Sequence, residues 1–523
     1  RPPTPGRFSL TTRSPLTGTI FDSNAGGTWG VIFKRCGFDA MIVSGRADRP
    51  VYIELKGAEI SVKDAGELWG QDTKTTVKKL TESLGAGSSA LAIGPAGERQ
   101  VKLASICVDG HRALGRGGVG AVMGSKNLKA IVVKGAQPPA VADEESFKFV
   151  CYEANKWLKA SPITSIGLPT FGTSMLVNLM NEYGVLPTRN FQENRFEGAN
   201  DVSGEAMADE IFVKRSACYG CSIACGRRVK DSRGQEVEGP EYETLWSFGA
   251  ACGVSDLARV VEANLLCNRL GLDTISMGST IACAMELGSK GLLDIDARFG
   301  DADAMLRLIR STAYRDGIGD LLAEGSARLA EKAGAPELAM QVKGLEMSAY
   351  DPRGMKAQGL AFATSNRGAC HLRANMLGPE ILGLPKRVDR RATHGKAGLL
   401  IVLQHSNAVL DSLVLCKFSS FALGDEFYAR LLSAATGVEY KVQDLQLIGE
   451  RIWNLERFYN LKAGLTGADD RLPARLTQES ARVGEKDEVV DLKPMLAEYY
   501  RFRGWDEQGV PSPAKLAQLG LEG

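Results

Sequence analysis

Cys218-Tyr219-Gly220-Cys221-Ser222-Ile223-Ala224-Cys225 places three thiols at CxxCxxxC spacing. Thiolates this close can converge on one face of an iron-sulfur cube, with a fourth ligand arriving from elsewhere in the chain. The same residues would also serve as structural cysteines in a glycine-containing turn, or as a zinc site lacking its fourth ligand. Zinc more often uses paired CxxC motifs, which favours the cluster. The chain holds eleven cysteines, an odd and scattered set. That is not a secreted disulfide framework, and it points to a reducing, cytoplasmic compartment.

A second candidate is the run Gly115-Arg116-Gly117-Gly118-Val119-Gly120-Ala121-Val122-Met123-Gly124-Ser125-Lys126. Glycines allow close backbone approach, and free amides beside Arg116 suit an anion such as a phosphate. The order is not that of a Walker A loop, and a plain turn-rich loop reads equally well from these residues alone. Two further segments echo each other, Asn268-Arg269-Leu270-Gly271-Leu272-Asp273 and Asp411-Ser412-Leu413-Val414-Leu415-Cys416. Only four histidines, His111, His371, His394 and His405, are available for proton chemistry.

The frame that must hold these residues is long and nearly neutral: 523 residues, with 63 Lys and Arg against 62 Asp and Glu. That balance excludes a nucleic-acid binder driven by bulk positive charge and an acidic disordered protein. No run of 18 or more apolar residues is present, so no membrane partner is expected. The chain opens at Arg1 without an initiator Met or an apolar leader, so part of the N-terminus is expected to be missing.

The pattern changes near residue 140. Before it come short strand-like runs, Phe8 to Thr12, Ala40 to Ser44, Val51 to Leu55 and Ala130 to Val133, with one amphipathic helix near Thr73 to Leu84. Gly135, Pro138 and Pro139 break the chain. After it, apolar residues recur at helical spacing through Leu257 to Leu272, Met305 to Tyr314 and Leu445 to Leu461, with a weaker break near Val342 to Ser348. The expected class is α+β: a β-rich part over 1–138, then helical parts over 139–345 and 346–523.

Longer motifs carry a resemblance. Gly6-Arg7-Phe8, Ser14-Pro15-Leu16-Thr17-Gly18, Asp22-Ser23-Asn24-Ala25-Gly26-Gly27, Gly94-Pro95-Ala96-Gly97-Glu98, the Gly115 to Lys129 segment, Gly239-Pro240-Glu241-Tyr242-Glu243-Thr244 and Arg367-Gly368-Ala369-Cys370-His371-Leu372-Arg373 follow one another in order. In that order they resemble the aldehyde:ferredoxin oxidoreductase family of tungsten enzymes. The resemblance implies tungsten, less often molybdenum, held by the dithiolenes of two pyranopterins, beside one 4Fe-4S cluster. By position Cys218, Cys221 and Cys225 match the first three cluster ligands and Cys416 the fourth.

The two echoing segments match the family's DxxGLx pterin motifs. Asn268, Gly271, Leu272 and Asp273 fall in the first, Asp411 and Leu415 in the second. Carboxylates there accept hydrogen bonds from pterin N–H donors. The sequence departs twice, with Asn268 in place of Asp and Val414 in place of Gly. Arg7 matches an arginine set between cluster and pterin, and Arg116 fits as a phosphate contact. Asn24 and Gly117 match positions whose backbone carbonyls hold a magnesium ion joining the pterin phosphates, a chemistry natural to that cation.

The resemblance also implies oxidation of an aldehyde to a carboxylic acid with water, with His371 as the active-site histidine and Glu243 as its acidic partner. Shifted pKa values in a low-dielectric pocket would let this pair exchange protons near neutral pH. Without the motif, His371 reads as a core histidine bonded to a backbone carbonyl, and Glu243 as a carboxylate at a helix N-terminus. Electrons are expected to leave through the cluster to ferredoxin or to a ferredoxin-like or flavin partner subunit. Glu262 lies near the acidic position of an iron shared between subunits in family homodimers, but no histidine occurs between His111 and His371. That bridging metal is not expected, and homo- and hetero-oligomers both stay open. Two alternatives stand beside the aldehyde reading: a reductive member such as the tungsten subunit of an aromatic acyl-CoA reductase, and an electron-transfer subunit without pterin.

Overall fold

The computed structural model describes residues 1–521. The chain is α+β. Strands Phe8–Arg13 and Ile20–Ala25 pair antiparallel around the Ser14-Pro15-Leu16-Thr17-Gly18 turn. Ser14 Oγ accepts from the amides of Leu16 and Thr17 at 3.1 and 3.0 Å, closing that turn. In Ile20–Ala25 the burial alternates, so Phe21, Ser23 and Ala25 face inward while Asp22 and Asn24 face the other side, the period-two consequence of strand geometry.

Beside this hairpin lies a six-stranded mixed sheet, in the order Glu59–Asp64, Val51–Lys56, Leu128–Lys134, Ser89–Ile93, Ile106–Val108, Arg112–Leu114. Val51–Lys56 and Leu128–Lys134 run parallel, and the other neighbours antiparallel. Helix Thr73–Leu84 covers one face, placing Val77 and Leu80 on Ala90, Ala92, Ala130 and Val132. Asp72 caps its N-terminus by accepting from Thr75 N at 2.7 Å, the role its short carboxylate favours. Helix Trp29–Arg35 covers the other face, with the Trp29 indole donating to Ile131 O at 3.1 Å.

The expected strand at Ala40 to Ser44 does not form. The segment has no ladder partner. Its alternation is used differently, with Met41 and Val43 against the core and Ile42 left 93% exposed. Periodicity reports which side chains pack, and a strand also needs a neighbour for its backbone groups.

From Glu144 onward the chain is mainly helical, including Glu144–Ala160, Leu257–Leu270, Thr274–Ser289, Ala302–Tyr314, Ala397–Ser412, Asp425–Thr436 and Val442–Lys462. The break expected near Val342 to Ser348 is a tight hairpin, Gln341–Val342 against Leu345–Glu346, turning through Lys343 and Gly344 at positive φ. Val342 and Leu345 sit in a core that runs continuously from Leu16 to Val490. A second core joins helices Glu144–Ala160 and Asp425–Thr436 around Ile223 and Leu415. Ile163–Glu182 is long and apolar enough to cross a membrane by length and composition. It is broken into short turns, with Gly172 at φ +61, and its side chains line the cavity described next.

Candidate active site

Where the N-terminal hairpin meets the helical parts, a cavity of about 410 Å³ opens. Cys218, Cys221, Cys225 and Cys416 line one region of it, and Glu243 and His371 line it as well.

The first three thiols sit in the loop between strands Phe212–Ser216 and Gly226–Lys230. Gly220 and Ala224 take positive φ there, which tightens the loop. Cys416 arrives from the far side, after helix Ala397–Ser412. Arg7 bridges the two. One terminal nitrogen donates to Cys416 Sγ at 3.2 Å, and the other donates to the carbonyl and the Oδ1 of Asn24, both at 3.3 Å. Burial opposes the Arg7 charge, but the sulfurs of Cys416, Cys218 and Cys225 outweigh it and raise its pKa. The loop packs directly on the hairpin: a Cβ on Gly26 would stand 2.5 Å from Cys218 Sγ. Burial raises the Cys225 thiol, and Glu241, Cys416 and Cys218 push it the same way. Among the described residues no three His, Cys, Asp or Glu side chains close on a point fit for a single ion.

The glycine-rich run is compact because Arg116, Gly117 and Gly118 take consecutive positive φ values of 66, 60 and 72°. A side chain at Gly117 would strike the Phe21 ring at 2.7 Å, and one at Gly118 the Lys102 carbonyl at 2.6 Å. Arg116 is buried and donates to the Glu346 carbonyl, while its Nε stands 3.6 Å from Asp273 Oδ2. Asp273 also caps helix Thr274–Ser289, accepting from Ser276 N at 2.9 Å. Gly271, at φ +76, ends helix Leu257–Leu270 where a Cβ would meet Gly94 N at 2.7 Å. Asn268 and Leu272 line the cavity from this side, and Leu415 from the other. The Gly117 carbonyl accepts from Ser14 Oγ at 2.6 Å.

Asp411 is ion-paired with Lys417 at 2.7 Å and with Arg373 at 3.3 Å. Burial would raise its pKa, but these two cations hold it below the usual carboxylate value. Val414, where the resemblance expects glycine, adopts φ +50. The left-handed backbone is kept although the residue is β-branched, a combination that stores strain.

Glu243 lies in the first turn of helix Tyr242–Phe248. Its Oε2 accepts from Ala349 N at 3.1 Å, and its Oε1 faces His371 Nδ1 at 3.5 Å. Burial raises the Glu243 carboxyl to about 8, against the lowering effects of the Ala349 amide and Arg116. Burial also lowers His371 to about 3, helped by Arg116, Arg367 and Lys417. The pair therefore stands as carboxylic acid and neutral imidazole at pH 7. Tyr350 packs on the imidazole with ring centroids 5.6 Å apart. Among the described residues no backbone carbonyl bonds His371, so it is not a satisfied core histidine. His405, by contrast, contacts Arg503 at 2.6 Å, His111 contacts the Asp109 carbonyl at 2.9 Å, and His394 is exposed. Glu262 pairs with Arg259 at 3.1 Å.

Several cavity residues escaped the sequence reading. Arg112 pairs with Glu241 at 3.3 Å close to Cys218 and Cys225, and Arg367 donates to Cys370 Sγ at 2.8 Å and to the Asp22 carbonyl. Arg367 and Arg373 lie inside the RGACHLR motif, and Lys417 follows Cys416, so proximity to chemistry was a signal for these three. Arg112 had none. Buried polar atoms without a protein partner surround the cavity: Asn24 Nδ2, Arg112 Nε, Arg116 Nε, Glu243 Oε1 and Arg367 Nε. Each such atom costs free energy unless a guest satisfies it. The cavity is built for a polar, hydrogen-bonding group.

Known proteins share this arrangement of sequence and fold. Residues 1–135 match the family model for the aldehyde ferredoxin oxidoreductase N-terminal domain, and residues 150–521 that for domains 2 and 3. The chain is 47% identical, over 99% of its length and 88% of the relative's, to a tungsten-containing aldehyde ferredoxin oxidoreductase of Pyrococcus furiosus. It is 46% identical, with the same coverage, to the protein of that name from Thermococcus kodakarensis. In fold it is similar to the active-site complex BamBC of benzoyl coenzyme A reductase, with a TM-score of 0.85 at 23% identity, covering 99% of this chain and 87% of that one. The chain belongs to the aldehyde ferredoxin oxidoreductase family.

Proposed function

We propose that this chain oxidises aldehydes to carboxylic acids with water, releasing two protons and passing two electrons to an acceptor protein. The observation that carries the reading is the Glu243–His371 pair, facing each other at 3.5 Å in the cavity that the four cysteines also line. The orphaned donors fit a bis-pyranopterin, which when bound supplies the two-electron chemistry of its tungsten or molybdenum. Asn268, Gly271, Leu272 and Asp273 would hold one pterin, and Asp411 and Leu415 the other. Arg116 would meet phosphate oxygen. The carbonyls of Asn24 and Gly117 would hold magnesium, since each accepts one hydrogen bond here and a carbonyl oxygen has two lone pairs. Cys218, Cys221, Cys225 and Cys416 would bind a 4Fe-4S cluster.

The proton work belongs to the chain's own side chains. Ionised Glu243 accepts a proton at Oε1 from the water that adds to the aldehyde, and its elevated pKa makes it a competent base near neutral pH. Neutral His371 faces that oxygen from Nδ1 at 3.5 Å, and its other nitrogen is free to orient the substrate. The proton taken up by Glu243 is returned to solvent in a separate step. Arg7 joins Cys416 to Asn24 and so ties the cluster end to the pterin end. An electron-transfer subunit without pterin would not need these buried, unpaired polar atoms.

The test is aldehyde-dependent reduction of benzyl viologen by protein purified without oxygen from its native host. Turnover that requires an aldehyde supports the reading. A metal-loaded protein that reduces no viologen with aliphatic or aromatic aldehydes contradicts it.

A further inference from the structure

Strand Arg112–Leu114 is an edge of the six-stranded sheet, and its first residue reaches a second, three-stranded sheet in the order Glu236–Glu238, Gly226–Lys230, Phe212–Ser216. The cysteine loop joins two strands of that second sheet. A Cβ on Gly226, the residue after Cys225, would collide with Arg112 Nη2 and with Ser216 Oγ. Glycine is what admits a guanidinium beside the loop, a close approach that any side chain would block. Arg7 contacts Cys416 directly, and Arg112 comes in beside Cys225.

Two carboxylates grip Arg112. Its Nη1 donates to Glu241 Oε1 at 3.3 Å, and its Nη2 stands 3.6 Å from Glu238 Oε1. Each carboxylate is held in turn. Thr173 Oγ1 donates to Glu241 Oε2 at 2.6 Å and buried Arg227 stands 3.5 Å from the same oxygen, while Arg228 pairs with Glu238 at 3.3 Å. The terminal nitrogens are thereby fixed, and Nε is left buried, in a residue that lines the cavity, with no protein acceptor among the described residues. Such a donor costs free energy until something accepts from it. Burial opposes the Arg112 charge, but Cys218, Glu241, Glu238 and Cys225 together outweigh it.

We infer that Arg112, clamped between Glu238 and Glu241, sets the reduction potential of the cluster at the four cysteines, its fixed charge and free Nε–H favouring the reduced, more negative form. This rests on the proposed function for the presence of a 4Fe-4S cluster, but not for the aldehyde chemistry. The potential of such a cluster follows the net charge around it and the hydrogen bonds to its sulfurs. Glu241 is opposite to Arg112 in sign and acts on the Cys225 thiol, so the two residues move the potential in opposite directions.

The test is a redox titration of protein purified without oxygen, followed by the EPR signal of the reduced cluster. Arg112→Gln is expected to shift the reduction equilibrium about tenfold toward the oxidised form, about 59 mV lower for one electron. Arg112→Lys keeps the charge without the fork or the Nε–H, and should recover part of that fall. Glu241→Gln should raise the potential, because an amide oxygen still accepts from Arg112 while the negative charge is gone. An unchanged potential in Arg112→Gln, or a fall in both Arg112→Gln and Glu241→Gln, overturns the proposal. If Arg112→Gln loses its cluster, Glu241→Gln decides: a rise supports the proposal, and no rise overturns it. Absence of a 4Fe-4S signal from the unmodified protein overturns this proposal and the proposed cluster together. The expected shifts in a protein that turns over no aldehyde uphold the role of Arg112 and contradict the aldehyde reading alone.

Discussion

The cysteine end and the glutamate–histidine end of the cavity are both largely enclosed, with Cys416 buried and Cys218, Cys221, Cys225, Glu243 and His371 half-buried, and loss of solvent acts on them in the same sense, against charge. What differs is the compensation. Around the thiols, Arg7 and Arg112 stand close enough to favour anions, with Arg7 in direct contact with Cys416. Around Glu243, Arg116 and the Ala349 amide only partly offset burial, and the carboxyl stays at about 8. Burial still raises the Cys221 and Cys225 thiols, so a bound metal would be needed to hold negative sulfur at one end, while at the other the carboxyl can let a proton come and go.

The sharpest way to break that contrast is to remove a ligand from the compensated end. Cys416→Ala should abolish the 4Fe-4S signal or convert it to a smaller cluster, and electron delivery to any protein acceptor with it. An intact reduced 4Fe-4S spectrum by EPR in that variant would sink the assignment.

At the other end, Glu243→Gln should keep tungsten, molybdenum and iron content while turnover falls by roughly 10²–10⁴-fold, the span usual for loss of a general base. Normal metal content with full activity would return Glu243 to a structural carboxylate. His371→Ala should also keep its metals and lose most turnover.

The contrast also has a pH signature. Ionised Glu243 is the working form, and its carboxyl is raised to about 8. Activity should therefore rise with pH through about 8, and the limb should vanish in Glu243→Gln. His371 at about 3 contributes no limb above pH 5. For stability the signs oppose. The raised Glu243 favours the fold below its ordinary pKa, an advantage lost as pH rises through 8. The lowered His371 favours it above 6.5, an advantage lost as pH falls below that.

Smaller effects test the packing that separates the ends. Gly26→Ala would press a methyl on Cys218 Sγ at 2.5 Å, and should cost about 1–3 kcal/mol in denaturant unfolding. Val414→Gly should relieve the strain of a β-branched residue at φ +50 and gain about 1 kcal/mol. No gain in midpoint would show that the strain is absorbed elsewhere.

Sequence reading reached the two ends unequally. Spacing alone exposed Cys218, Cys221 and Cys225, because one short loop carries all three. Cys416, Arg7, Glu243 and His371 required the family resemblance, since nothing local says that residues hundreds of positions apart meet. Helix Thr73–Leu84 and the strands at Phe8 and Val51 were legible from periodicity. Ala40 to Ser44 misled because alternation there records packing without a ladder. Arg112, Arg367 and Lys417 tune the site through tertiary closeness, and Arg116 is the one cation near Glu243 that its glycine-rich setting exposed.

The central claim is that one cavity serves a bis-pterin metal and a 4Fe-4S cluster together. Elemental analysis of the protein, purified without oxygen from its native host, for tungsten, molybdenum, iron and zinc tests it most directly. The account predicts about one tungsten or molybdenum per four irons. Iron without either heavy metal would contradict the pterin assignment, and zinc alone would contradict the cluster as well.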